Sequence, residues 1–139
     1  MKEKWTRWEP IVNLSKNYYS ESLIDTPDGF KLHLFDESGK KILVSFPNSV
    51  FAYRSTDDSF IYETLGFLEK NYETKFYSEW AFFEIENSEY LEWLKRQSGE
   101  MYEAYGLRHF CIFTINAMID IANDSEPEIF HLDIDSIKT

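Results

Sequence analysis

Leu107 to Ile115 is almost continuously apolar, and from Phe110 to Phe113 neither the odd nor the even positions are polar. A strand apolar on both faces belongs in the middle of a sheet, so this stretch predicts a central strand with others built around it. The clearest of these neighbours is a hairpin. Phe30–Phe35 alternates apolar and polar for most of its length, Lys41–Phe46 is rich in β-forming residues, and Asp36-Glu37-Ser38-Gly39-Lys40 between them suits a loop of about three to five residues. Further strands are predicted at 49–54, 80–86, 118–121 and 128–132. The last has Pro127 and charge beside it, which suits a protected sheet edge.

Two segments have helical period. Ile61, Leu65, Leu68 and Tyr72 step by 4, 3 and 4, after a cluster of N-cap candidates at 55–58. Glu89 to Ser98 follows Asn87-Ser88 as cap, carries Glu89 and Glu92 early and Lys95 and Arg96 late, and stops before Gly99. Its expected inner face is Tyr90, Leu91, Trp93, Leu94 and Gln97. Together these readings predict one α+β domain over 1–139, with a mostly antiparallel sheet of five to seven strands packed with two main helices.

Charge narrows the function more than any motif does. Residues 79–139 hold thirteen acids against four bases, so most of the net charge of −11 lies in that half. Such a field repels nucleic acid and anionic membranes and steers basic surfaces inward. Aromatic residues make up 18% of the chain, enough to fill a core and leave some rings exposed as interface anchors. Trp5, Trp8, Tyr18, Tyr19, Phe76, Tyr77 and Trp80 lie in stretches of weak periodicity and are the candidates. The N-terminus is charged and has no apolar run of the secretory kind, no apolar stretch approaches a membrane span, and Cys111 has no second cysteine to pair with. A reducing cytoplasm is therefore the expected location.

No catalytic centre, metal site or cofactor site is predicted. His109 and Cys111 share a strand face, but one cysteine and three histidines fall short of the four donors of a structural zinc site. A buried thiol beside a hydrogen-bonded core histidine is the expected arrangement. Glu84 and Glu86 share another strand face, followed by Glu89 and Glu92, and paired carboxylates can perform acid–base chemistry when a cleft fixes their separation. A small carboxylate-dependent enzyme on that face is one alternative, and a non-catalytic regulatory adaptor is another. The preferred reading puts a partner-binding surface in the acidic half, at Glu84, Glu86, Glu89, Asp124, Glu126 and Glu128, with Trp80 as an aromatic anchor. These surface acids are expected to matter little for folding, with Glu3, Glu21 and Asp36 as indifferent controls elsewhere.

Three stretches, Asn48–Asp58, Phe76–Leu94 and His109–Pro127, together resemble the small cytosolic immunity proteins that bacteria pair with their own polymorphic toxins. The likeness rests on structural runs spanning most of the chain. It implies a single-domain α+β inhibitor that binds a cognate toxin domain with a basic surface and plugs its active site or substrate groove. It carries over no binding residues, because such families diverge most where they touch their toxins.

Overall fold

A computed structural model describes residues 2–99 and 101–132. Acidic residues Glu100, Asp133 and Asp135 of the charge count lie outside them. The described residues are α+β, with nine strands in two antiparallel sheets and three helices. Strands β1 (Lys4–Arg7), β6 (Phe82–Glu86), β7 (Arg108–Phe113), β8 (Ala117–Asn123) and β5 (Ala52–Asp57) form one sheet in the order β1-β6-β7-β8-β5. Strands β2 (Tyr19–Thr26), β3 (Gly29–Phe35), β4 (Lys41–Phe46) and β9 (Glu128–Leu132) form the other, in sequence order.

The apolar run takes the central position in the five-stranded sheet, and its two faces meet different layers. Phe110 and Ile112 join Phe82, Ile119 and Ile121 against Phe30, Leu32, Leu34, Ile42, Val44 and Phe46 of the second sheet. Cys111 and Phe113 face the other way, with Trp5, Phe83, Ile85 and Met118, under Leu65, Phe67 and Leu68 of α1 (Tyr62–Asn71) and Phe76 and Tyr77 of α2 (Thr74–Ser78). The result is three layers: helices, five strands, four strands. Trp8, Ile11 and Leu14 pack on the core between the sheets.

The β3–β4 hairpin has the expected bounds, and Asp36 ties its loop. Its carboxylate accepts from Ser15 Oγ (2.6 Å), Ser38 Oγ (2.7 Å) and the Ser38 and Lys40 amides (both 2.9 Å). Burial alone would raise its pKa, but these hydrogen bonds outweigh burial and hold the carboxyl below its ordinary value. Asp36 is thus a structural knot, and the expectation that it is an indifferent surface acid is wrong. Gly29 opens β3 with φ +143°, where a Cβ would sit 2.9 Å from the Phe46 carbonyl oxygen.

Helix α3 (Glu89–Ser98) also has the expected bounds, capped by Ser88 and ended by Gly99 at φ 63°. Of its expected inner face, Tyr90 is buried and Leu91 and Leu94 are half-buried, but Trp93 is 49% exposed and Gln97 is exposed. A helix lying on one layer buries a narrower stripe than five residues in ten. The strand expected at 49–54 begins at Ala52, because 46–49 form a turn closed by Ser49 N–H donating to the Phe46 carbonyl (3.2 Å). β1, β2 and the short α2 raise the element count above the expected five to seven strands and two main helices. Among the described residues no helix is long and apolar enough to cross a membrane.

Candidate functional site

The end of the five-stranded sheet where β5 begins and β8 finishes carries most of the predicted acids. The 46–51 turn and the 123–128 connection face each other there across a cleft of about 460 Å3. Its lining includes Asp124, Glu126 and Glu128 with Asn48 and Ser49, over an apolar floor and rim of Phe46, Pro47, Val50 and Phe51. The turn is held in place. Ser49 has a left-handed backbone (φ 70°), and its hydroxyl donates to Asp25 Oδ1 at 3.0 Å.

Glu84 joins this group through Arg108. Nε and Nη2 of Arg108 donate to the two Glu84 oxygens at 2.8 Å each, and Nη2 reaches Glu126 Oε1 at 3.1 Å. The guanidinium also lies 4.9 Å above the Phe110 ring. Hydrogen bonding from Glu84 raises the Arg108 pKa further, so the cation persists at any working pH. A half-buried bidentate pair of this kind contributes to folding, so Glu84 is not the free surface acid that was expected. Glu86 is exposed at the end of β6 and shares a sheet face with Glu84.

Two predicted residues fall elsewhere. Glu89 starts α3 on the helix side of the sheet, where its amide donates to Glu3 Oε2 at 2.9 Å. Trp80 is half-buried against both cores, with its indole N–H donating to the Trp8 carbonyl at 3.0 Å. It sits before the first residue of β6 and Glu86 at the last, so it is no anchor for the acids. The exposed ring beside the cleft is instead Phe51, 50% exposed, which packs 4.8 Å from Tyr105, 41% exposed. A 54-residue separation hides this pair from any local pattern.

A second cluster lies on the helix face, where Ser88, His109, Asp120 and Arg54 form a chain. Asp120 Oδ1 is 2.6 Å from His109 Nε2, Oδ2 accepts Arg54 Nε at 2.8 Å, and Ser88 Oγ is 2.6 Å from His109 Nδ1. A carboxylate only accepts, so Nε2 carries a hydrogen and donates it to Asp120 Oδ1. Ser88 Oγ accepts the Leu91 amide at 3.1 Å as the α3 cap. Burial by itself would raise the Asp120 pKa, but the hydrogen bonds and charges of His109 and Arg54 outweigh it and hold the carboxyl low.

Ser, His and Asp invite comparison with a hydrolytic triad, and the geometry speaks against that role. Ser88 is 3% exposed, and its oxygen is already used to cap a helix. The chain is a strut fastening α3 and β5 to the central strands. Cys111, fully buried beside Asp120, has its thiol pKa pushed well up by burial and by that carboxylate, which leaves it protonated and inert. This is the core thiol and hydrogen-bonded histidine expected from sequence.

No protein-family model, curated protein or solved structure matches this chain.

Proposed function

We propose that this protein is a binding inhibitor that docks its acid-lined end onto a basic active site or groove of another protein, in the manner of an immunity protein neutralising a cognate toxin. One observation carries the reading. Asp124, Glu126 and Glu128 line one side of a cleft whose other side includes Phe51, and Phe51 packs on the exposed Tyr105. Those carboxylates would pair with Lys or Arg of the partner and speed its capture, while the rings supply the dehydrated centre that such contacts need. Of the cleft acids, Glu126 shares Arg108 with Glu84, so Asp124 and Glu128 are the freer carboxylates.

The test is co-expression with the product of the adjacent gene, scored by growth. Rescue by the wild-type chain, lost on reversing Asp124 and Glu128 and truncating Phe51 while the variant still folds, supports the reading. Rescue untouched by those changes would place the interface elsewhere, and a neighbour that is harmless alone would remove the toxin from the account.

A further inference from the structure

The opposite end of β5 carries two further exposed rings that the cleft does not use. Phe60 is 80% exposed and Tyr62 89%, while Ile61 between them turns inward and is buried. Each ring held in water to that degree leaves roughly 150 Å2 of apolar-rich surface exposed. Helix entry does not explain them. With Ile61 as the N-cap of α1, Phe60 stands at the position that ordinarily staples against the residue four into the helix, here Leu65. At its exposure, Phe60 does not make that staple.

The segment is presented rigidly. Asp57 Oδ1 accepts from the Ser59 amide at 2.9 Å and the Ser59 hydroxyl at 2.6 Å, fixing the 3-10 turn Asp58–Phe60. The Asp58 amide also donates to the Asn116 carbonyl at 3.4 Å, tying the turn to the β7–β8 connection. Residues 57–63 contain Asp57, Asp58 and Glu63 and no Lys or Arg, and Ile115, 40% exposed, lies on the connection beside them. Arg54, the nearest base along the chain, is committed to Asp120.

We propose that the 57–63 corner is a second docking surface for a basic protein segment, with Phe60 and Tyr62 as its anchors and Asp57, Asp58 and Glu63 as its charge complement. An anionic membrane or a nucleic acid would meet the wrong sign here, and so would a second copy of this chain, whose net charge is −11. The corner is about 20 Å from the cleft, the length of β5 at roughly 3.3 Å per residue, so the two surfaces can be occupied separately.

The experiment is a 15N–1H NMR titration of the full chain with a synthetic nine-residue peptide of alternating Arg and Leu at low salt. Saturable shifts at residues 57–63 are expected, weakened at least tenfold in the Phe60→Ser/Tyr62→Ser variant, whose other amide signals should not move. An alternating Glu and Leu peptide should leave 57–63 unshifted. Absent shifts at 57–63, equal shifts with the Glu peptide, undiminished binding in the variant, or binding of phosphatidylserine vesicles in place of the Arg peptide would each overturn the proposal. Shifts at 123–128 report on the cleft independently, so either surface can fail without the other.

Discussion

Asp120→Asn keeps the shape of the side chain at the centre of the buried strut and removes its charge. Asp120 is 1% exposed, and it accepts hydrogen bonds from His109 and Arg54. The amide oxygen of Asn can keep only one of these donors, and the buried His109 is the one that cannot turn to water. Arg54, 51% exposed at its side chain, would let go and hydrate. The net loss is about one charge-assisted hydrogen bond, on the order of 2–3 kcal/mol, which for a chain of this size lowers Tm by roughly 6–10 °C. Asp120→Ala leaves the buried His109 donor without an acceptor and opens a cavity beside it, and should cost about 3–5 kcal/mol. Urea unfolding followed by tryptophan fluorescence and by circular dichroism reads both values. The folded-state pKa of Asp120 lies below its unfolded value, so the stabilisation is complete above the ordinary carboxylate value of about 3.9 and is lost as pH falls through the lower folded value. The gap between wild type and Asp120→Asn should therefore be constant near neutrality and close in acid. A loss below about 1 kcal/mol for both variants, or a gap that widens in acid, would refute the strut.

Cys111→Ser places a hydroxyl in an apolar site and should cost about 1–3 kcal/mol while leaving partner affinity unchanged. Rapid labelling of the native thiol by a small reagent, with the fold intact, would contradict its burial. Asp36→Ala removes the acceptor of four hydrogen bonds, three within the β3–β4 loop and one from Ser15, and should cost about 2–3 kcal/mol in urea unfolding, with a loss under about 0.5 kcal/mol arguing that the knot is dispensable. Glu84→Lys sets a cation against Arg108 and should cost about 1–3 kcal/mol, whereas Glu128→Lys should stay within about 0.5 kcal/mol. Equal costs for the two would mean that the bidentate pair contributes nothing to folding.

The parts of the fold that could be read from sequence are those whose signals are local. Helix α3 announces itself by Ser88, its graded charges and Gly99, and the β3–β4 hairpin by alternation around a Gly-bearing loop. Strand β2 escaped because Tyr-Ser-Glu-Ser-Leu-Ile-Asp-Thr lies at a sheet edge, half-buried at most, with a register shift between Ser20 and Ser22 that breaks alternation. The division into two sheets was illegible, since β4 pairs with β9 across more than eighty residues. At the candidate site, the gathering of Asp124, Glu126 and Glu128 follows from their closeness in sequence. Arg108 bridging Glu84 to Glu126, and Phe51 meeting Tyr105, are tertiary contacts with no local trace. Of the aromatics singled out by weak periodicity, Trp5 and Tyr18 became core, while Trp8, Tyr19, Phe76, Tyr77 and Trp80 are half-buried. Exposed rings lie both at turns and element ends, as Phe51, Phe60, Tyr62 and Tyr105 do, and inside elements, as Tyr53, Trp93 and Phe130 do.

The central claim, electrostatic docking through the acid-lined end, is tested most directly by the association rate with the partner recovered from co-expression. That rate should be measured by stopped flow as ionic strength rises from about 0.01 to 0.15 M, where the Debye length shrinks from roughly 30 to 8 Å. The account predicts a steep fall for wild type and a much flatter, slower response for the Asp124→Lys/Glu128→Lys variant. A wild-type rate that is flat across the range, or a variant that associates as fast and with the same slope, would contradict it.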